Sequence, residues 1–201
     1  MTNRFFDENG PGERFEGCVC LQDDRRPDCP AIETGKCHFQ GAYEEDARRA
    51  KWDARFMELA RLVAGWSKDR GTRVGCVLAD ELHAVLSLGY NGLPRGVRDD
   101  ADERHAGDAQ HLWTVHAEQN SLCDAARRGA RVMGATAYVC WFPCAQCAVA
   151  LIQAGVSAVV CYEPDLFHPR YGAGYRVALA AFGEAGVSVR YVAGERLRAK
   201  E

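Results

Sequence analysis

Two short stretches carry side chains able to share one reaction centre, His116-Ala117-Glu118 and Pro143-Cys144-Ala145-Gln146-Cys147. Cys144 and Cys147 are three residues apart, so on a helical turn they share a face and reach a common ion. His116 brings an imidazole from a second helix. Two thiolates and one imidazole select zinc over magnesium or calcium. Three protein ligands leave the fourth tetrahedral position open, the pattern of a catalytic zinc. Both stretches start predicted helices, whose unpaired N–H groups favour thiolates. Glu118 is only two residues from His116, and within a regular helix the two side chains would point to nearly opposite sides. They can act together only if the helix begins here and the ion lies beyond its end. A glutamate so placed can take and return protons without being a ligand, because zinc lowers the pKa of bound water to about 7. Alone, C-x-x-C fits a structural zinc half-site or a redox pair, and H-x-E says little. The weight rests on the two together, each on a helix start that follows a strand.

The elements that must position these groups can be followed along the chain. Trp52, Phe56, Leu59 and Val63 have helical spacing, with Gly65 at the end of that helix. Residues 73–78 and 83–90 read as strands separated by a hairpin turn at 79–82. Asn91-Gly92-Leu93-Pro94-Arg95-Gly96 is a strong stop signal. The polar stretch 97–112 is long for a loop in a compact domain and is expected to be functional or to contain a short helix. Helices are then expected at about 116–128, 143–155 and 176–185, alternating with strands at 135–142, 156–162 and 187–192, with a loop at 163–175. The alternation implies parallel pairing with helices packed on the sheet, and the early hairpin adds an antiparallel pair, so the sheet is mixed.

The 201 residues suit one ordinary domain. Hydrophobic residues are 47% and charged residues 26% of the chain, the balance of a soluble globular protein and not of a disordered or collagenous one. The net charge of −3 argues against a general nucleic-acid binder, which meets phosphates with a basic surface. No apolar run approaches a membrane span, and the polar start, Met1 to Pro11, shows no secretory signal. A cytoplasmic location is the expectation. Ten cysteines then call for packing or metal binding instead of disulfides. Cys76, Cys123, Cys140 and Cys161 sit in apolar or helical runs and are expected to pack in the core, where a free thiol behaves as a small hydrophobe.

Several local patterns besides the two metal stretches point the same way. They are Trp52-Asp53 with Phe56-Met57, Ser67-Lys68-Asp69, Val74-Gly75, the run from Gly89 to Gly96, Asn120 after His116-Ala117-Glu118, and Phe142-Pro143 before Cys144. With them, residues 51–193 resemble the deoxycytidylate (dCMP) deaminase family of the zinc-dependent cytidine deaminase superfamily, whose H-x-E and P-C-x-x-C signature is matched here. The resemblance implies a three-layer α/β/α cytidine deaminase-like fold with a five-stranded mixed sheet. It implies a hydrolase acting on a cyclic amidine: zinc held by His116, Cys144 and Cys147, zinc-bound hydroxide attacking carbon 4 of a deoxycytidine monophosphate-like nucleotide, Glu118 as proton shuttle, and the uracil nucleotide and ammonia as products. Asn91 would then hydrogen-bond the sugar hydroxyl. Tyr162 would stack near the base or serve as an ordinary strand-end tyrosine. Arg73 and Arg95 are the candidates for the phosphate, against plain surface arginines. The same chemistry on a modified pyrimidine nucleotide or a purine, or a nucleotide-sensing zinc protein without turnover, are the alternatives. An intact Glu118 speaks against the last, since a protein that only binds zinc needs no proton shuttle.

Residues 1–41 form a Cys-rich extension to the deaminase domain at 42–201. Cys18, Cys20, Cys29 and Cys37 fall within 20 polar residues, with His38 adjacent, and resemble a structural zinc site whose binding energy would order a segment without a core of its own. The alternative is a tail with reduced thiols. His105 and His111 lie where some family members recruit a second zinc ligand. The resemblance also implies a homo-oligomer and nucleoside triphosphate regulators near the Gly89–Gly96 loop, with no membrane or nucleic-acid partner.

Overall fold

The computed structural model describes residues 38–107 and 109–194, without the side chains of 38–44. Cys18, Cys20, Cys29 and Cys37 lie outside the described residues. The chain divides into two units at Lys51/Trp52, and the sheet and the candidate site belong to the second.

Helix α1 spans His38–Ala64. From Trp52 onward it buries Phe56, Met57, Ala60, Val63 and Ala64, the face that the helical spacing predicts. Strands β1 (Gly75–Ala79) and β2 (Val85–Tyr90) follow. Their turn is built by Asp80, whose Oδ1 accepts from the Leu82 and Ala84 N–H groups. The polar stretch contains a 3₁₀ turn at Asp102–Arg104 and a five-residue helix, α2 (Ala109–Trp113). Helix α3 (Ala117–Arg128) stops at Gly129, whose φ of 69° is left-handed and open to glycine without strain. Strand β3 (Thr136–Val139), helix α4 (Ala145–Gln153), strand β4 (Ala158–Cys161), helix α5 (Gly172–Glu184) and strand β5 (Ser188–Tyr191) follow among the described residues.

The five strands lie in the order β2-β1-β3-β4-β5. β1 runs antiparallel to both β2 and β3, while β3–β4 and β4–β5 are parallel, so the sheet is mixed as expected. Alternate residues of the strands feed two cores. Cys76, Leu78, Ala137, Val139, Val159 and Cys161 join residues of α3, α4 and α5 on one face. Val77, Ala79, Tyr138, Val160 and Tyr162 meet Phe56, Met57, Ala60 and Ala64 of α1 on the other. This is a three-layer α/β/α arrangement. The second core is tied by a half-buried ion pair, in which Arg190 donates to both oxygens of the buried Asp53 at 2.7 and 2.9 Å and the Tyr138 hydroxyl donates to Asp53 Oδ1. Among the described residues no helix is long and apolar enough to cross a membrane.

Two expectations are corrected. Cys76, Cys140 and Cys161 are buried in the sheet, but Cys123 is exposed on α3, because helical spacing turns it away from the buried face of Ala117, Ser121 and Ala125. Helix α5 begins at Gly172, four residues before the expected start at 176. Its Gly-Ala-Gly opening reads as loop, yet Gly172 is needed there, since a Cβ would sit 2.4 Å from the Leu166 carbonyl oxygen.

Gly89 sets how deeply α3 can seat on the sheet. A Cβ at this position would lie 2.2 Å from the Ala117 carbonyl oxygen and 2.3 Å from the Ser121 nitrogen. Both are backbone atoms of the turn that carries Glu118. Gly89→Ala should therefore destabilise by about 3 kcal/mol or more, the upper range for overpacking, and displace the first turn of α3. Denaturant unfolding and a deamination assay on the same sample check this, with both stability and turnover expected to fall.

Candidate metal centre and active site

Both metal stretches sit at helix N-termini. His116 is the N-cap of α3 and Cys144 the N-cap of α4, each in extended conformation and neither spending its side chain on a cap hydrogen bond. At most helix starts that position belongs to a Ser, Thr, Asp or Asn that does bond the helix. Here the side chains are free to project beyond the helix ends, where they meet. His116 Nδ1 is 3.5 Å from Cys144 Sγ and 3.3 Å from Cys147 Sγ. The three donor atoms all lie within 4.8 Å of one another, and they are the one such cluster among the described residues. Ordinary zinc–sulfur and zinc–nitrogen bond lengths at a tetrahedral angle put sulfur and nitrogen about 3.6 Å apart. The donor set fits zinc in chemistry and in spacing.

The electrostatics of the cluster suit a cation. Cys144 is held low, at about 4, first by its hydrogen bond with Cys147 and, against burial, by His116. Cys147 is pushed up by the same thiol pair and by burial. Thiols bind a metal as thiolates, so binding here releases protons. The His116 pKa is raised, mainly by its contact with Cys144, with the charges of Glu118, Cys144 and Asp69 adding and burial opposing. The three core thiols stand apart. Burial lifts Cys140 to about 11 and Cys161 to about 12, and raises Cys76 as well, so they stay protonated.

Glu118 is in the first turn of α3 and is 4% exposed. Burial raises its pKa, opposed by a backbone hydrogen bond at its own position and by His116. Because α3 begins at Ala117, His116 lies off the helix end while Glu118 stands in its first turn, and the two-residue spacing no longer separates them.

The remaining sequence-derived candidates are placed unequally. Asn91 is buried beside the start of β1, where its Oδ1 accepts from the Val74 N–H and its Nδ2 donates to the Thr72 carbonyl. Each amide atom keeps one further hydrogen-bonding site. Arg73, between those two partners, has a buried Nε with no hydrogen-bond partner. Arg95 is 76% exposed and lies 3.9 Å from Asp124, on the second turn of α3 past Glu118. Tyr162 is buried in the α1 core, on the face of the sheet opposite the metal donors. His105 contacts the Asp99 carbonyl and His111 contacts Arg170, and neither joins the donor cluster.

Sequence reasoning gave Asp69 no role and did not single out Gln110. Asp69 is buried and accepts three side-chain-directed hydrogen bonds, from the Gly71 and Thr72 N–H groups and from Gln110 Nε2. Ser67-Lys68-Asp69 was a visible signal, since an aspartate two residues before glycine suits an Asx turn. No sequence signal marks Gln110.

Soft donors at two helix N-termini, with a buried carboxylate beside them on an α/β/α sheet, define a zinc-dependent deaminase. The comparisons make the family specific. The family described as "Cytidine and deoxycytidylate deaminase zinc-binding region" matches residues 50–163, and the chain belongs to it. An uncharacterised deaminase of Aliivibrio fischeri is 40% identical over 146 residues, 71% of this chain and 95% of that protein. Human deoxycytidylate deaminase is 32% identical over 145 residues, 70% of this chain and 79% of that protein. The dCMP deaminase of cyanophage S-TIM5 superposes with a TM-score of 0.54 at 23% identity, over 70% of this chain and 96% of its own. It shares the fold, and has also been solved in complex with dCMP and dUMP.

Proposed function

We propose that this chain hydrolyses deoxycytidine monophosphate to deoxyuridine monophosphate and ammonia. The observation that carries the reading is the buried Glu118 carboxylate standing in the helix turn next to the three-donor cluster. The substrate class follows from the 32% identical human relative, whose name is deoxycytidylate deaminase. His116, Cys144 and Cys147 would hold the ion. Zinc, when bound there, supplies a water acidic enough to serve as nucleophile at neutral pH.

The chain's own residues do the rest. Hydrolysis forms a C4–O bond and breaks the C4–N4 bond of cytosine, so both protons of the attacking water must leave it, one to reach ring N3 and one to reach the departing amine. Glu118 is the carrier. Its raised pKa makes the carboxyl ready to accept and return a proton, which is the requirement for efficient general acid–base work. Asn91 is held rigid by Val74 and Thr72 and offers its spare N–H or oxygen to the sugar hydroxyl. Arg73 is the favoured phosphate partner of the two arginines, because its Nε lacks a partner while Arg95 already faces Asp124. The buried position of Tyr162 favours its role as a strand-end core residue. A cytoplasmic homo-oligomer with nucleoside triphosphate regulators near the Gly89–Gly96 loop completes the reading, on the strength of the family resemblance.

Glu118→Gln should retain the fold and one bound zinc yet lose turnover by roughly 10² to 10⁴, the usual worth of a general acid–base group. Ammonia release together with elemental analysis checks this. A variant within a few-fold of the parent would refute the assignment.

The monophosphate should be turned over far better than deoxycytidine, because a charge-assisted arginine–phosphate bond orients the base as well as binding it. Arg73→Ala should lower kcat/KM for the monophosphate while hardly altering the poor rate on the nucleoside. The ratio of the two kcat/KM values, in parent and variant, is the measurement. A parent that prefers the nucleoside overturns the nucleotide reading, and an unchanged ratio in the variant returns the phosphate to Arg95.

Cys18, Cys20, Cys29 and Cys37 would hold a second, structural zinc. The full chain should then carry about two zinc ions per chain. Changing all four cysteines to serine should remove one and leave the other. Equal zinc content in both proteins would exclude the second site.

A further inference from the structure

Asp69 does more than close its own turn. One carboxylate oxygen, Oδ1, accepts from the N–H groups of Gly71 and Thr72 at 2.8 and 2.9 Å, an ordinary local cap. Its other oxygen, Oδ2, accepts from Gln110 Nε2 at 2.7 Å, 41 residues further along the chain. Loop closure does not require that second bond. Gln110 lies on α2, the short helix that leads to His116. Its carbonyl accepts from the Thr114 N–H, and Val115 exchanges two backbone hydrogen bonds with Gly92, so Gln110 is joined by a short ordered path to His116. The far side of this arrangement is tied to the same loop. Ser67 Oγ accepts from the Asp69 N–H and donates to the Asn91 carbonyl, one residue before Gly92.

The geometry points to Asp69 and Gln110 as positioning residues that set the path of the chain into His116, so that its Nδ1 arrives facing the two thiols. The inference rests on the reading of His116, Cys144 and Cys147 as the zinc ligands. Neither residue touches the metal donors. Their effect is preorganisation: without the clasp, the segment from α2 to His116 samples other paths, and the imidazole ligand is offered less often in place. Partners that hydrogen-bond a ligating histidine directly are worth about 10- to 100-fold in metal affinity or activity, and a clasp one step removed is expected at the lower end of that range.

The test uses the full zinc-loaded chain and three readouts: transfer of zinc to a competing chelator, kcat on deoxycytidine monophosphate, and the unfolding temperature of the metal-free protein. Gln110→Met keeps the bulk and helix propensity but leaves Asp69 Oδ2 without its donor. It should speed zinc transfer about tenfold and lower kcat. Gln110→Glu opposes two carboxylates and should do at least as much. Combining Gln110→Glu with Asp69→Asn restores a donor–acceptor pair across the gap, with the new amide oxygen still able to serve Gly71 and Thr72. That double variant should return zinc transfer to within about threefold of the parent. Asp69→Asn alone is the control, because the Gln110 amide can turn over to meet the new donor.

If the Gln110 variants change only the metal-free unfolding temperature, the clasp is structural and the inference is overturned. Failure of the double variant to recover also overturns it. A parent that binds no zinc at Cys144 and Cys147 overturns the zinc reading itself, and the inference with it, and is recognised before any variant is compared.

Discussion

Two helix N-termini must point at the same spot, and most of this fold can be understood from that requirement. His116 and Cys144 occupy N-cap positions, and their side chains meet only because α3 and α4 start at the same edge of the sheet. For α4 the cause is the parallel run of β3 and β4, since a parallel sheet delivers each following segment beyond the carboxyl ends of its strands, where ligand sites of α/β proteins form. For α3 the cause is different. No strand leads straight into it. The segment before it is pinned by the Gly92–Val115 bridge, and the helix is drawn against β2 by the absence of a side chain at Gly89. One metal centre is thus assembled from one helix placed by topology and one placed by close packing.

The positive ends of two helices would be unfavourable neighbours without an anion between them. Cys144 supplies part of that charge, and Glu118 stands in the first turn of α3. The burial that makes Glu118 costly as a free carboxylate is the same burial that readies it to hold a proton. Cysteines show the complementary sorting. Cys76, Cys140 and Cys161 lie in strands or just past a strand end, packed in apolar surroundings that hold their thiols protonated, so they are inert as ligands. The two at the helix start are the ones an ion can claim. Residue type alone does not separate these groups; the local field does.

Much of this was legible in the chain because it depends on local signals. Helix starts just after Pro143 and His116, the glycine stop at Gly129 and the alternation of strands after residue 130 are set by short-range backbone preferences. The H-x-E and C-x-x-C pairing could be joined because each half demands the other chemically. Where sequence reasoning fell short, the cause was long-range. The start of α5 depends on Gly172 packing against Leu166, and the exposure of Cys123 on the turn of a helix whose opposite side is buried. The burial of Tyr162 depends on which face of β4 its strand phase selects, and the α1 core claims it. Gln110 carries no motif at all, because its partner is 41 residues away.

Arg73 and Arg95 show why position must be argued through partners. Arg95 follows Asn91 closely in sequence while Arg73 lies across the hairpin from it, yet composition treats the two cations alike. Arg95 is on the exposed side of its turn, where Asp124 already offsets its charge, and Asp124 also pairs with Arg128 at 3.1 Å. An exposed pair of this kind is worth little and leaves no unmet demand. Arg73 is on the strand approach that Asn91 clasps from both sides, and its Nε is shielded from water without a hydrogen-bond acceptor. A buried donor without a partner costs free energy. That asymmetry is the ground for proposing Arg73 over Arg95 as the phosphate partner, and the same two residues that flank the arginine also hold the amide proposed to meet the sugar.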